Sequence, residues 1–383
     1  MREVVVIDGC RTAIGKRKGM FLDYRSDELA SFILNALSQR TAIDKGMVDD
    51  VILGCVTQVG EQAMNVARTA ALIAGFPIHV PGVTIDRQCG SSQQAIHFGA
   101  QAIASGDMDV VIAGGVENMT RAPMFANVGD TKSSELLQAN YDIVNQGIAA
   151  EKIADTWGFS REKLDEFALN SHQKALTAIE KGYFADEIVP VEVTDESGKT
   201  RTMHTDEGPR ADTNKEALAA LKPVFKMEGK ITAGNASQMS DGASAVLLMS
   251  KEKADVLGLQ PKAKIIARDV IGSDPTLMLT GPIEATKRVL ERANLTIDQI
   301  DRYEVNEAFA PVPLAWLAET GADAQKMNVH GGAIALGHPL GATGTKLFST
   351  LMYELERIGG RYGLLAICEG MGMANATIIE RIP

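Results

Sequence analysis

The sequence predicts a layered α/β protein made of two similar halves with a segment of different character between them. Three observations carry this. Short β-branched runs alternate with helical patterns along the 383 residues, the order expected of sheets covered by helices. The last third repeats the element order of the first. The residues before the second strand also match across the halves, Val48-Asp49-Asp50-Val51 against Ile297-Asp298-Gln299-Ile300, an offset of 300 − 51 = 249. A period near 250 residues reads as an internal duplication, not a solenoid.

Taken in order, Val4–Ile7 is β-branched and predicts a strand. Ser26 is expected to cap a helix with Asp27 and Glu28 in its first turn and Leu29, Phe32, Ile33 and Leu37 at helical spacing. Val51–Leu53 and Val83–Ile85 predict strands. Cys89-Gly90-Ser91-Ser92 opens a helix with an apolar side of Ala95, Ile96, Gly99 and Ile103, ended by Gly106. Val110–Ala113 is the next strand, before Gly114-Gly115. In the last third, Lys264–Ala267 predicts a strand, Pro282 opens a helix, and Tyr303–Val305 is a strand. A glycine-rich turn at Gly337–Gly344 leads into a helix carrying Leu347, Leu351 and Leu355, ended by Gly359-Gly360. Leu364–Ile367 and Ala376–Ile379 are the closing strands. Between the halves, Met119–Gln238 has helical patterns and a hairpin signal at Ser197-Gly198. Its stretch Lys199–Lys230 holds seven basic and five acidic residues, net +2 within a chain of net −11. This reads either as a mixed solvated surface or as a local patch for an anionic ligand.

Composition excludes several classes. Hydrophobic residues are 45% and charged residues 23%, ordinary for a globular protein. The longest apolar runs fall far short of the ~20 residues of a membrane span. A strand pattern that starts at Val4 leaves no room for a signal peptide. The net charge of −11 and 5% aromatic content argue against nucleic acid as a partner. Four cysteines, Cys10, Cys55, Cys89 and Cys368, are too few for a disulfide framework and form no C-x-x-C pair. The expectation is a reduced, cytoplasmic protein with no metal site. His79, His97, His172, His204 and His330 show no ligand spacing and read as structural or surface residues. Cys10 and Cys55 read as small buried residues.

The chemistry concentrates at four places. Cys89 lies between a strand and a helix start, where the helix macrodipole would depress a thiol's pKa. Position alone leaves open a buried structural cysteine. His338 precedes Pro339 in Gly337-His338-Pro339-Leu340-Gly341, a turn that keeps it out of the α region. Its offset from Cys89 is again 338 − 89 = 249, so the two residues are expected at equivalent places in the halves. Cys368 ends a strand in Cys368-Glu369-Gly370-Met371-Gly372, whose glycines expose backbone N–H groups suited to an oxyanion. Asn306 ends the strand Tyr303–Val305. For both, an ordinary strand-end residue is the alternative. All four fall at strand ends or on turns into helices, where open α/β sheets bind ligands.

Together these motifs resemble the thiolase family over the whole chain. The residues that carry the resemblance are Arg87-Gln88-Cys89-Gly90-Ser91-Ser92, Asn306-Glu307-Ala308-Phe309, Gly331 to Gly341, and Cys368-x-Gly370-x-Gly372. The resemblance implies two βαβαβαββ halves in a five-layer αβαβα core with an inserted loop domain. The expected boundaries are 1–118 with 239–258 for the first half, 119–238 for a coenzyme A-binding loop domain, and 259–383 for the second half. It implies Cys89 as the acyl-carrying nucleophile, and His338 as its base and a donor to one oxyanion hole. Asn306 would hold a water in that hole, and Cys368 would be the acid/base. The N–H groups of Cys89 and Gly370 would form a second hole. Coenzyme A, a co-substrate and not a bound cofactor, would meet Arg210, Phe225, Ala233, Ser237 and Phe309. Acyl-CoA substrates and a homodimer or homotetramer are expected.

Cleaving a 3-oxoacyl thioester fits that inventory. It needs a covalent acyl acceptor, a proton donor for the departing enolate, and stabilisation of two oxyanions. Three departures from the family pattern stand out: Glu369 beside Cys368, Leu279 where short-chain members commonly have glycine, and Asn145-Gln146 in place of His-Met. The segment Arg121–Gln146 is also short. These point to a broader, degradative enzyme over one specific for acetoacetyl-CoA. A ketoacyl-synthase type would carry histidine or asparagine in place of Cys368. A non-catalytic coenzyme A-binding subunit would lack one of the four reactive residues.

Overall fold

The computed structural model describes residues 2–194 and 197–383. Its strands are β1 (Val4–Arg11), β2 (Gly15–Lys16), β3 (Asp50–Gly54), β4 (Gly82–Ile85), β5 (Val110–Asn118), β6 (Val191–Thr194), β7 (Thr200–Met203), β8 (Ser240–Ser250), β9 (Ala263–Gly272), β10 (Arg302–Val305), β11 (Tyr362–Glu369) and β12 (Met373–Arg381). The helices are α1 (Ser26–Thr41), α2 (Val66–Ile73), α3 (Ser91–Ser105), α4 (Glu135–Asn140), α5 (Gln146–Thr156), α6 (Arg161–Glu180), α7 (Lys215–Ala219), α8 (Lys251–Leu257), α9 (Gly281–Ala293), α10 (Pro311–Thr320), α11 (Ala333–Leu336) and α12 (Thr343–Ile358).

The duplication is visible in the strand pairing. In the first half β3 runs parallel to β5, β5 antiparallel to β8, and β8 antiparallel to β1. In the second half β10 runs parallel to β11, β11 antiparallel to β12, and β12 antiparallel to β9. The edge strand β4 extends the first set beyond β3. The two sets of strands pair through Val5–Lys264 and Val6–Ala263 of β1 and β9. Helices α3 and α12 lie between the two sets of strands. Glycines make room for α12 on both sides: a Cβ on Gly9 of β1 would strike Ser349, and one on Gly363 of β11 would strike Leu351 at 2.8 Å. With α1 outside the first set and α9 outside the second, the layers run αβαβα.

The register of the repeat is 252 and not 249. Asp49 N–H donates to Val110 C=O, and Asp301 N–H donates to Tyr362 C=O. The Asp49 carboxylate accepts from Asp109 and Val110 N–H, as the Asp301 carboxylate does from Arg361 and Tyr362 N–H. Both pairs differ by 301 − 49 = 252, as do the starts of α3 and α12, 343 − 91 = 252. The sequence match slipped by three residues, one turn of the 3₁₀ helix that precedes each second strand (Lys45–Met47 and Ile297–Gln299). Cys89 is therefore equivalent to Gly341, and His338 sits three residues before that point.

Other expectations shift for local reasons. Ser26 is the first residue of α1 and not its cap; its hydroxyl donates to Gln62 Oε1 at 3.0 Å. β5 continues through Gly114-Gly115 to Asn118, because the glycines admit close neighbours, Ser244 C=O and Gly341 C=O. The chain leaves the sheet after β5 and returns at β8. The segment between holds α4 to α7 and the β6–β7 hairpin. Buried Arg11 on β1 anchors it, binding Glu187 and Asp206 at 2.7 Å each.

Candidate active site

The two central helices bring the reactive residues together. The starts of α3 and α12 abut: Thr345 N–H donates to Ser92 Oγ at 3.0 Å, and Gly344 has no room for a Cβ against Gln93. The turn before α3 is set by Asp86, which accepts from Gln88 N–H at 2.7 Å, and by Ser91, whose hydroxyl donates to Gln88 C=O at 2.6 Å. Gln88 takes a left-handed φ of 48° there. The turn before α12 needs glycine at Gly337, where φ is 98° and a Cβ would collide with Ser240 Oγ. Gly341 N–H then donates to the buried Glu117 carboxylate at 2.9 Å, which also receives Val56 and Thr57 N–H. One carboxylate thus pins the histidine turn to the first half.

Cys89 is 5% exposed and Cys368 fully buried. The two thiols lie close enough for the charge of Cys89 to raise the pKa of Cys368, after burial. The backbone N–H groups of Cys89 and Gly370 favour the Cys89 thiolate. Burial outweighs them, with Glu369 adding to it, and the Cys89 thiol is pushed up to about 12. The expected depressed pKa is not found: a helix start lowers a thiol only if the thiol stays hydrated, and this one does not. Cys89 therefore needs a base.

His338 lies in the turn before α12. Its Nε2 lies 3.4 Å from Asn306 Nδ2, and its Nδ1 lies 2.7 Å from Thr343 Oγ1. The Thr343 hydroxyl donates its one proton to Pro339 C=O at 2.8 Å. It can only accept from His338, so the ring proton sits on Nδ1 and Nε2 carries the free lone pair. Burial lowers the His338 pKa to about 3, helped by Lys346, which keeps the ring neutral. Asn306 Oδ1 is buried without a protein partner.

Glu307 in the Asn306-Glu307 motif is structural support. It accepts from Ser171 Oγ at 2.7 Å and Asn328 Nδ2 at 2.9 Å and holds the loop that precedes α11. Of the pair Asn145-Gln146, Asn145 caps α5 by accepting from Gly147 N–H at 2.9 Å. Only Gln146 reaches the site: a Cβ on Gly370 would lie 3.2 Å from its Nε2 and 2.8 Å from Gln88 Oε1. Leu279 is buried in the apolar cluster that includes Cys368.

The five expected coenzyme contacts form two neighbouring groups. Arg210 and Ala233 line a cavity of about 140 Å³ with His172, Leu218 and Ile334. Phe225 packs edge-on against Phe309 at 5.9 Å. Ser237 links the groups, its N–H donating to Ala308 C=O at 2.9 Å. His172, expected to be structural, belongs to this cavity and accepts from Arg210 N–H at 3.2 Å. The basic stretch is not one patch, since Lys226 and Lys230 pair with Asp155. A larger groove of about 790 Å³ lies elsewhere, beside α6. Its cations Arg302 and Arg357 are already committed to Glu354. Among the described residues, no three His, Cys, Asp or Glu side chains gather as a metal site requires.

Two family models cover nearly the whole chain: the thiolase N-terminal domain over residues 4–252 and the thiolase C-terminal domain over residues 259–381. The chain belongs to the thiolase family. A steroid 3-ketoacyl-CoA thiolase of Mycobacterium tuberculosis is 51% identical over all of this chain and 95% of its own length. An acetyl-CoA acetyltransferase of Pseudomonas aeruginosa is 44% identical over both full lengths. A 3-ketoacyl-CoA thiolase of Bacillus subtilis is 42% identical over 99% of this chain and all of its own. A crystal structure of the Bacillus anthracis acetyl-CoA acetyltransferase superposes with a TM-score of 0.92 at 40% identity, covering 100% of this thiolase and 99% of that chain. The fold is accordingly the thiolase fold. Sequence reasoning missed Thr343 and Glu117 as parts of this site. A lone threonine at a helix start gives no signal, whereas an acid ending the apolar run of β5 does.

Proposed function

We propose that this thiolase cleaves 3-oxoacyl-CoA with coenzyme A, giving acetyl-CoA and a shortened acyl-CoA. The observation that carries the reading is His338 Nε2 held 3.4 Å from Asn306 Nδ2, on the turn into the helix whose start abuts that of α3, behind Cys89. His338 Nε2 takes the Cys89 proton, and the thiolate attacks the 3-oxo carbon. The tetrahedral oxyanion sits on the N–H groups of Cys89 and Gly370. As the Cα–Cβ bond breaks, the acetyl-CoA enolate rests on His338 and an Asn306-held water, and Cys368 gives its proton to the α-carbon. Coenzyme A then attacks the acyl-Cys89 thioester, with the Cys368 thiolate taking its thiol proton. Cys89 leaves as its sulfur regains a proton from His338 Nε2, which closes the cycle. Coenzyme A is co-substrate, held in the Arg210–Ala233 cavity and against Phe225 and Ser237 of the loop domain, residues 119–238, and Phe309 of the second half.

The acyl preference we infer is for chains beyond four carbons. Gln146 and Gln88 border Gly370, and the preceding segment is short, which leaves the site open. Leu279 works against this by adding bulk beside Cys368. We also infer a homodimer as the smallest assembly. β4 is an edge strand, and Met64, Ile78, Val83 and Phe98 expose apolar surface near it, a combination a second copy would cover. Four free thiols suit a reducing, cytoplasmic setting, and no helix among the described residues is long and apolar enough to cross a membrane.

The test is loss of acetoacetyl-CoA absorbance with coenzyme A, followed by kcat/KM for 3-oxohexanoyl- and 3-oxooctanoyl-CoA. Cys89→Ala should abolish thiolysis. Each added methylene gains at most ~0.8 kcal/mol if buried. A steep fall after four carbons would mean that Leu279 closes the pocket and that the enzyme is specific for acetoacetyl-CoA.

A further inference from the structure

The mechanism leaves one buried acid at the site unused. Glu369 follows Cys368 on β11, and its side chain turns toward the start of α3. It is 0% exposed. It packs on the backbone of the residue after the nucleophile, since a Cβ on Gly90 would collide with Glu369 Oε1. Its Oε2 has no hydrogen-bond partner. Beyond it stands the Asn375 carboxamide of β12, whose Nδ2 donates to Glu369 Oε1 at 3.1 Å and whose oxygen accepts from Gln94 N–H at 3.2 Å. The acid thus grips the first turn of the nucleophile's helix through Asn375.

The titratable groups facing Glu369 are Asp86 and Arg87 on the turn before α3, Cys89 itself, and Cys368 on its own strand. α3 and β12 present Gln94 and Asn375, which do not titrate. Arg87 is directed to Met373 Sδ, 3.6 Å away, and does not bond the acid. Burial holds the carboxyl well above the usual carboxylate range, with Arg87 opposing and Asp86 reinforcing.

We propose that Glu369 is a positioning residue for Cys89: neutral in the active form, it braces the start of α3 through Asn375, and its ionisation suppresses the Cys89 thiolate. The proposal rests on Cys89 being the nucleophile. It makes nucleophile and acid a coupled pair, whose protons leave in separate steps.

The test is the rate of iodoacetamide alkylation of Cys89 from pH 6 to 10, read by peptide mass spectrometry. The wild-type rate should climb with pH and show one break, where Glu369 ionises. Glu369→Gln keeps the shape and the Asn375 contact without the charge. It should give an unbroken climb and about 10-fold faster alkylation above that break, since tenfold in thiolate corresponds to one pK unit. Glu369→Leu, which also loses the amide bond, should lower kcat at unchanged KM for coenzyme A, and Glu369→Gln should restore part of that loss. Coincident wild-type and Glu369→Gln profiles would overturn the proposal. So would an unbroken climb in the wild type, a result that needs no variant to fold. If Cys89→Ala retains thiolysis, the nucleophile reading fails instead, whatever the profiles show.

Discussion

At the scale of single residues, the site works by fixing where protons can sit. His338 is neutral and its tautomer is dictated by Thr343, whose own proton is spent on Pro339 C=O. Thr343→Val removes the acceptor for Nδ1–H. The ring then gains by placing its proton on Nε2, the atom proposed to receive the proton of Cys89. Losing a buried hydrogen-bond partner costs ~1–3 kcal/mol, so kcat should fall by roughly 10–100-fold with little change in KM. Thr343→Ser keeps the hydroxyl and should recover most of it. Equal kcat for the valine and serine variants would show that the tautomer is set some other way. Nothing in the sequence marks Thr343, because its role depends on a carbonyl four residues earlier being in reach. The high Cys89 pKa was also illegible, since burial at a helix start is set by β11 and the histidine turn, both remote in sequence.

At the scale of elements, the exposed edge of β4 has a definite consequence. A Val83→Lys variant puts a charge on the face inferred to meet a second copy, where Val83 is 40% exposed in the single chain. Burying that charge unpaired costs several kcal/mol, so the dimer's Kd should rise at least ~100-fold. Light scattering after size exclusion at micromolar concentration should show a dimer for wild type and a monomer for the variant. Equal masses would remove β4 from the interface. Most elements themselves were legible. The ends of α3, α9 and α12 follow from Gly106, Pro282 and Gly359, residues whose backbone preferences act locally. Strands were foreseen too short, as at Val110–Ala113, because glycines and an acid extend β5 only by virtue of neighbours on β8 and the histidine turn. Ser26 misled for the same reason: a tertiary partner, Gln62, took its hydroxyl from the helix end. The duplication was legible as a period but not as a register, because one 3₁₀ turn shifts the acidic and apolar pattern by three residues and nearly restores it.

At the scale of the molecule, packing two sheets about α3 and α12 buries histidines and carboxyls together, and this sets the pH range of stability. Burial lowers His97 and His338 to about 3 and His172 to about 4. An unfolded histidine titrates near 6.5. Between these values the unfolded chain binds protons that the native chain refuses, so the histidine contribution is complete above about pH 6.5 and is lost as pH falls toward 3. Buried acids act in the opposite sense. Burial raises Asp241 to about 6 against the bonds from Thr120, and it raises Glu304 as well, with Lys346 opposing. Their neutral forms stabilise the native state below the unfolded value, and that contribution is lost as pH rises through the native one. The two limbs predict maximal stability at roughly pH 6 to 7. His97 isolates the acid limb, because it lies away from the reacting groups and bonds only Thr377 Oγ1, at 2.7 Å. Gln in its place can keep that bond but cannot titrate. His97→Gln should flatten the fall in unfolding free energy between pH 6 and 4 by about 1.4 kcal/mol per pH unit, measured by urea unfolding at fixed protein concentration so that dimer dissociation contributes equally to both proteins. An unchanged acid slope would mean that His97 takes up its proton in the folded state near the ordinary pH, and that the layer between the sheets is more hydrated than its close packing implies.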